Sequence, residues 1–140
     1  MKALIFHADR FGFTIDENIV NETGEGPPRG LPGATVEECL VVLFHVEEND
    51  GPKQARQLCK DIRRVANKVG TNRLMVTAFG HLSNSYAPWG VAEGTARLVV
   101  ETCREWESYE VFSTPFGVDG KTLVLHAKSH KDAVKFRSYS

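Results

Sequence analysis

Residues 36–47 read Val-Glu-Glu-Cys-Leu-Val-Val-Leu-Phe-His-Val-Glu. In an extended chain Leu40, Val42, Phe44 and Val46 fall on one side, and Cys39, Val41, Leu43 and His45 on the other. Apolar residues on both sides need cover on both faces. The segment therefore predicts a central strand, buried through its middle, rather than an edge or a half-exposed hairpin arm.

C-terminal to this strand the turn signal Glu48-Asn49-Asp50-Gly51 leads into a helix over Pro52–Val69. Asn49 or Asp50 is the expected cap and Pro52 suits the first turn. Ala55, Leu58, Ile62, Val65, Ala66 and Val69 recur at helical spacing, and Gly70 is the stop. A short strand follows at Arg73–Phe79, then the polar stretch Gly80–Tyr86. A second helix runs over Pro88–Trp106, with Val91, Thr95, Leu98, Val99, Thr102 and Trp106 on one face. Glu110–Ser113 is a strand, Thr114–Gly120 a turn-rich loop and Lys121–Ala127 a final strand. Lys128–Ser140 has no clear period.

On the N-terminal side, Lys2–Ala8 and Phe11–Ile15 read as two strands joined by a tight turn. Asp16–Ala34, rich in Gly and Pro, is a long surface loop. The order is β-β-β-α-β-α-β-β without internal repeat. It predicts a single domain over 1–140, of α/β (α+β) class, with one mixed sheet and two amphipathic helices.

Composition narrows the function classes. The chain has 140 residues, 41% hydrophobic, with 17 Lys+Arg against 18 Asp+Glu and a net charge of −1. One ordinary domain is implied. A strongly basic coat for duplex nucleic acid is excluded, though a local basic patch is not. Cys39, Cys59 and Cys103 are too scattered for a disulfide framework or a C-x-x-C zinc site, which points to a reducing, cytoplasmic setting. No apolar run approaches the roughly 18 residues of a membrane span, and Met1 leads into a strand rather than a signal peptide.

Strand ends can deliver side chains to a shared cleft. His7-Ala8-Asp9 could supply two metal ligands, but no further ligand series accompanies them; the competing reading is a turn whose Asp caps its own backbone. No metal or cofactor is expected. His81 and Ser83 lack the nucleophile elbow G-x-S-x-G, so His81 reads more simply as a loop-ordering residue. The cysteines read as core thiols. From Lys121 to Arg137 five cations (Lys121, Lys128, Lys131, Lys135, Arg137) face one acid, Asp132. This strip fits a guarded sheet edge and a phosphate-contacting surface equally well. Lys121 stands apart because it opens a strand after a Gly-containing loop. There a lysine either neutralises a developing oxyanion at a cleft rim or is an ordinary surface residue.

Taken in order, the segments Leu4-Ile5-Phe6-His7-Ala8-Asp9, Glu37–Glu47, Ala78-Phe79-Gly80-His81-Leu82-Ser83, Pro115-Phe116-Gly117, Lys121 and Lys128-Ser129-His130 resemble the N-terminal editing domain of archaeal-type threonyl-tRNA synthetases. That domain has the fold of D-aminoacyl-tRNA deacylases. The Ser-x-Gln-x-x-Pro and Asn-x-Gly-Pro segments of the bacterial-type D-aminoacyl-tRNA deacylase are absent. The resemblance implies hydrolysis of serine from mischarged seryl-tRNA(Thr), with the 2′-hydroxyl of the terminal adenosine assisting water attack. It also leaves two alternatives: a D-aminoacyl-tRNA deacylase, and a noncatalytic module that binds the tRNA 3′ end or mediates dimerisation.

By the same resemblance Lys121 is the key lysine, orienting substrate and stabilising charge, and His81 lies near the seryl group. Gly80 offers backbone contacts, and Val46 and Glu47 hold the adenosine. Phe116 and Gly117 wall its pocket, with His7 and Asp9 in support. The implied partners are the seryl-tRNA(Thr) 3′ end, a second copy in a homodimer, and the catalytic part of a threonyl-tRNA synthetase. Three departures stand out: Val118-Asp119-Gly120 replaces an aromatic-containing insert and is one residue longer, Val134 stands where relatives can have an acid, and Gly80 replaces a more usual alanine.

Overall fold

The alternation of residues 36–47 becomes the second strand of a mixed sheet in the computed structural model, which describes residues 1–15, 33–117 and 121–140. The departures at Val118-Asp119-Gly120 and most of the expected loop over Asp16–Ala34 lie outside the described residues. Among the described residues run β1 (Lys2–Ile15), β2 (Gly33–His45), α1 (Pro52–Val69), β3 (Arg73–Ala78), α2 (Trp89–Arg104), β4 (Glu110–Phe112), β5 (Lys121–Ala127) and β6 (Val134–Ser138). The strand order is β4-β3-β2-β1-β5, and β6 also pairs with β1. β3 runs parallel to β2, and β4 runs parallel to β3. β1 runs antiparallel to β2, β5 and β6. The α+β architecture and the expected helices stand. No helix among the described residues is long and apolar enough to cross a membrane.

Both faces of β2 are covered, as its sequence demands. Leu40, Val42 and Phe44 join Leu58 and Ile62 of α1 and Val99 of α2 in one buried cluster. Cys39, Val41 and Leu43 join Phe11, Phe13 and Met75 in another. Truncating a side chain as enclosed as Leu58 or Ile62 typically costs about 2–5 kcal/mol. All three cysteines are free and buried, and burial pushes the Cys39 thiol up to about 11.

α1 spans the predicted residues, but its entry differs. Gly51 is the N-cap, and the Gln54 side chain accepts a hydrogen bond from its N–H at 2.9 Å. The Asp50 carboxylate is engaged elsewhere, by the Met1 ammonium at 2.8 Å and the Glu47 N–H at 2.6 Å. At the exit Gly70 adopts φ +78°, and its N–H closes on the Ala66 carbonyl at 2.9 Å.

Two expectations need correction. Lys2–Ala8 and Phe11–Ile15 form one 14-residue strand, not two. The pairing of β1 with β5 shifts by one residue between Ala8 and Arg10, a β-bulge. Leu4, Phe6 and Ala8 face the same cluster as Phe11, Phe13 and Ile15, so the apolar phase changes from even to odd positions at the bulge. In sequence that phase change reads as a turn. The second correction concerns the terminal segment, which forms β6. Val134 and Phe136 are exposed while Lys135 and Arg137 are half-buried, so the strand carries no apolar-in, polar-out signal. It exists because β1 offers a free edge, in register Lys2↔Ser138 to Phe6↔Val134.

The sheet is strongly curled. Lys2 pairs with His45 at one end of β1, and Ile15 pairs with Lys121 at the other. At roughly 3.3 Å per residue these ends of an unbent strand would lie about 40 Å apart. Yet Lys121 and His45 line one cavity. The distal half of the β1–β2 hairpin, with β5 attached, therefore folds back across the face that carries Val41, Leu43 and Met75. The bulge at Ala8–Arg10 and the left-handed backbone of Glu38, with φ +40°, mark where the bend occurs.

Candidate active site

The parallel strands β2 and β3 end side by side, and a cavity of about 460 Å³ opens beyond their carboxyl ends. This is where open sheets with crossover helices place ligands. Phe44, His45 and Val46 come from the end of β2, and Thr77 and Ala78 from the end of β3. Phe79–His81, Tyr86 and Ala87 belong to the following loop, and Trp89 and Ala92 to the first turns of α2. Phe116 and Gly117 precede β5, and Lys121 and Leu123 open it. The curl brings together Lys121, His81, Val46, Gly80, Phe116 and Gly117, six of the residues singled out from sequence.

Two oxygens of the segment before β5 orient Lys121. Its ammonium donates to Thr114 Oγ1 at 3.1 Å and to the Pro115 carbonyl at 3.0 Å. Thr114 is bonded to Thr77 Oγ1, and Thr77 donates to the Ala78 carbonyl at 3.4 Å. Hydroxyl protons thus point one way along a chain from the lysine to the end of β3. Both threonines are buried. They fix the cation against the cavity wall, and the sequence reading did not single them out.

His45 organises the loop that carries His81. It is 2% exposed. Its Nδ1 accepts from the Leu82 N–H at 3.2 Å, so the ring proton sits on Nε2, which donates to the Ser85 carbonyl at 2.6 Å. His81 is exposed, its ring edge-on to Phe79 at 4.8 Å. Ser83 is not among the described residues lining the cavity. Its hydroxyl donates to Glu47 Oε2 at 2.6 Å and accepts from the Ser85 N–H at 3.0 Å. Ser83 therefore orders the loop, as the missing nucleophile elbow implies.

Glu47 is not among the described residues lining the cavity. Its carboxylate meets the Met1 ammonium at 2.8 Å and the Lys2 ammonium at 3.1 Å, besides Ser83. Burial alone would raise its pKa. The hydrogen bonds from the N-terminus, Ser83 and Lys2 outweigh that and hold it at about 2. Its side chain serves as a tie between β1, β2 and the loop.

Trp89 lines the cavity beside Phe116 and Gly117. Its ring stands edge-on to Phe116 at 5.6 Å. Gly117 has φ +70°, and a Cβ there would lie 3.1 Å from the indole. The backbone conformation favours glycine there, and a larger residue would also have to displace the Trp89 ring by a few tenths of an ångström. An aromatic residue directly after a proline, at the start of the helix that follows a strand end, was the available sequence signal for Trp89.

His7 and Asp9 lie outside the cavity, in a separate cluster at the bulge. The Asp132 N–H donates to His130 Nδ1 at 3.2 Å, leaving the His130 proton on Nε2, 2.7 Å from His7 Nδ1. His7 Nε2 in turn donates to Glu38 Oε1 at 2.7 Å. Lys128 binds Asp9 at 2.5 Å and Glu38 at 2.8 Å. Burial opposes the charge on Glu38, but hydrogen bonds from Lys128 and His7 outweigh it and hold the carboxyl low. The Lys128 hydrogen bond lowers Asp9, and the pair of carboxylates pushes Lys128 up to about 12. The basic strip is engaged further along as well: Lys135 pairs with Asp132, and Arg137 with Asp61. Of its two readings, the guarded, ion-paired edge describes Lys128, Lys135 and Arg137.

Residues 1–138 match the family described as the archaea-specific editing domain of threonyl-tRNA synthetase. The threonine–tRNA ligase of Pyrobaculum neutrophilum is 32% identical over 84% of the chain, and that of Hyperthermus butylicus 30% identical over 99%. The corresponding ligase of Cenarchaeum symbiosum is 26% identical over 98%. The matched regions make up 19%, 23% and 21% of these ligases, so the chain spans about a fifth of their length. Among solved structures, the c-Myc DNA Unwinding Element Binding Protein aligns over 100% of this chain and 99% of its own, with a TM-score of 0.69 at 14% identity. That likeness establishes a shared fold.

Proposed function

The chain belongs to the family of archaea-specific editing domains of threonyl-tRNA synthetase, and we propose that it removes serine from mischarged seryl-tRNA(Thr). The observation that carries this reading is the cavity itself. One hollow of about 460 Å³ brings Lys121, His81 and the backbone of Gly80 and Val46 together, and no carboxylate or thiol occurs among its described lining residues. Such a site suits a reaction whose proton handling comes from the substrate.

In this reading the terminal adenosine enters between Val46 and the Phe116–Gly117 wall, and the seryl ester lies toward Lys121 and His81. The 2′-hydroxyl of the adenosine orients a water against the ester carbonyl. Water adds to the carbonyl carbon, the bond to the 3′-oxygen breaks, and the water's proton passes to that oxygen. The products are free serine and a free 3′-hydroxyl. The Lys121 ammonium stabilises the charge that develops on the carbonyl oxygen. Its anchoring to Thr114 and Pro115 means little reorganisation accompanies the step. His81 contacts the seryl side chain.

The task explains the need for a second site. Serine differs from threonine by one methyl group, and a synthetic pocket distinguishes such a difference by only about 1–3 kcal/mol. A hydrolytic site that admits serine and excludes the extra methyl completes the selection. The seryl-tRNA(Thr) end, a synthetase catalytic part, a homodimeric state and a cytoplasmic setting belong to the same proposal. The test is deacylation by the purified chain of L-seryl-, L-threonyl- and D-seryl-tRNA(Thr). Rapid loss of L-serine with L-threonine retained is the expected result. Background rates on both L-esters overturn it, and preference for the D-ester replaces it with D-aminoacyl-tRNA deacylation.

A further inference from the structure

The cavity has room for a terminal nucleoside and its ester, so the rest of an RNA strand must leave across its mouth. Tyr86 lines that cavity and is 60% exposed, the most exposed large hydrophobic side chain among the described residues. Single exposed apolar residues are ordinary. Tyr86 differs in being oriented. Its hydroxyl donates to the Gly80 carbonyl at 3.3 Å, and its ring lies against His45 at 4.9 Å between centroids. His45 is itself immobilised, with both ring nitrogens bonded to the backbone of the same loop. The result is an open aromatic surface with a fixed backing. By contrast Phe136, 53% exposed, stands on the strand that pairs with β1 and does not line the cavity.

We propose that Tyr86 is the stacking platform for the nucleotide that precedes the terminal nucleoside of the acceptor strand. This rests on the seryl-tRNA reading above and adds a second point of contact to it. Bases at a single-stranded end are free to stack on aromatic side chains, and such stacking tolerates any base because each has a π-face. Ion pairing of Lys128, Lys135 and Arg137 leaves them poorly suited to grip the strand, so an uncharged contact at the mouth takes on more of the binding. The contact is made equally in ground and transition states. It therefore lowers KM and leaves kcat to the groups around Lys121.

The experiment compares binding of the trinucleotide cytidylyl-cytidylyl-adenosine with binding of adenosine alone, by calorimetry or fluorescence anisotropy competition. The wild-type chain is expected to bind the trinucleotide more tightly. Tyr86→Ala should weaken trinucleotide binding roughly tenfold, the scale of one lost base–aromatic stack, while shifting adenosine binding less than about twofold. Tyr86→Phe, which keeps the ring, should retain the advantage, and with seryl-tRNA the alanine variant should lose in KM rather than in kcat. The proposal is overturned if the wild type shows no preference for the trinucleotide, if Tyr86→Ala keeps that preference, or if it weakens both ligands equally. Failure of serine deacylation with the trinucleotide preference intact would count against the editing reading alone.

Discussion

One lysine opens β5 and another stands just past its end, and different groups hold them. Lys121, at its start, is bound by a threonine hydroxyl and a backbone carbonyl and lines a cavity. Lys128, just past its end, is gripped by the carboxylates of Asp9 and Glu38, with His7 and His130 alongside. The hydroxyl and the carbonyl direct the Lys121 ammonium along the cavity wall. The carboxylates around Lys128 push its pKa up to about 12. His7 and Asp9, singled out from sequence as supporting residues, belong to this second set of contacts at the bulge. Glu38 sits at φ +40°, a conformation that costs a non-glycine residue on the order of 1–3 kcal/mol, and its contacts with His7 and Lys128 help hold it there.

The sharpest way to break this contrast is to truncate each lysine. Lys121→Met is expected to lower seryl-tRNA deacylation by about 100-fold or more, the scale of removing one preorganised group that stabilises an oxyanion. Its melting temperature should change little, since the residue is only half-buried. Single-turnover deacylation of seryl-tRNA(Thr) measures the loss, and unchanged turnover would remove Lys121 from the reaction.

Next in size is the acid response of the tie beside the cavity. Glu47 holds its proton less readily in the folded chain, at about 2, than in the unfolded one, near 4.5. Its contribution to stability is complete above pH ~4.5 and is lost as the pH falls toward 2. After solvent screening of its ion pairs, the shift corresponds to about 1–2 kcal/mol. Glu47→Gln should destabilise the chain at pH 7 and flatten the fall in stability between about pH 4.5 and 2. Urea melts across that range check both points.

The smallest effect is expected at the far end of β5. Lys128→Met should leave seryl-tRNA deacylation within about twofold of wild type, because it removes an exposed ion pair remote from the cavity. A loss comparable to that of Lys121→Met would erase the distinction between the two regions.

Much of the site was legible because strand ends converge in a parallel pair. Val46 and Gly80 follow the ends of β2 and β3, so their proximity follows from neighbouring parallel strands. His45 was legible as a buried strand residue, but its role as a backbone anchor for the His81 loop was not, since its partners at Leu82 and Ser85 lie about 40 residues away. Ser83 and Glu47 read as independent candidates and turned out to satisfy each other. Thr77 and Thr114 carried no motif at all. The basic end was legible as composition only, because counting charges does not reveal that Asp9, Glu38, Asp61 and Asp132 fold against them.

The sequence by itself determined the elements: the two-faced alternation of residues 36–47, the helical spacing of Pro52–Val69 and the glycine stop at Gly70. Each of these is set by local periodicity and backbone preference. Tertiary structure alone decided that the phase change at Ala8–Arg10 is a bulge rather than a turn. It decided that residues 134–138 add to the sheet, and that the far end of the β1–β2 hairpin folds back to deliver Lys121 to the cavity at the end of β2. Periodicity records which face of a strand is apolar. How far the sheet bends, and which charge meets which, depends on contacts between residues distant in the chain, and no local pattern encodes them.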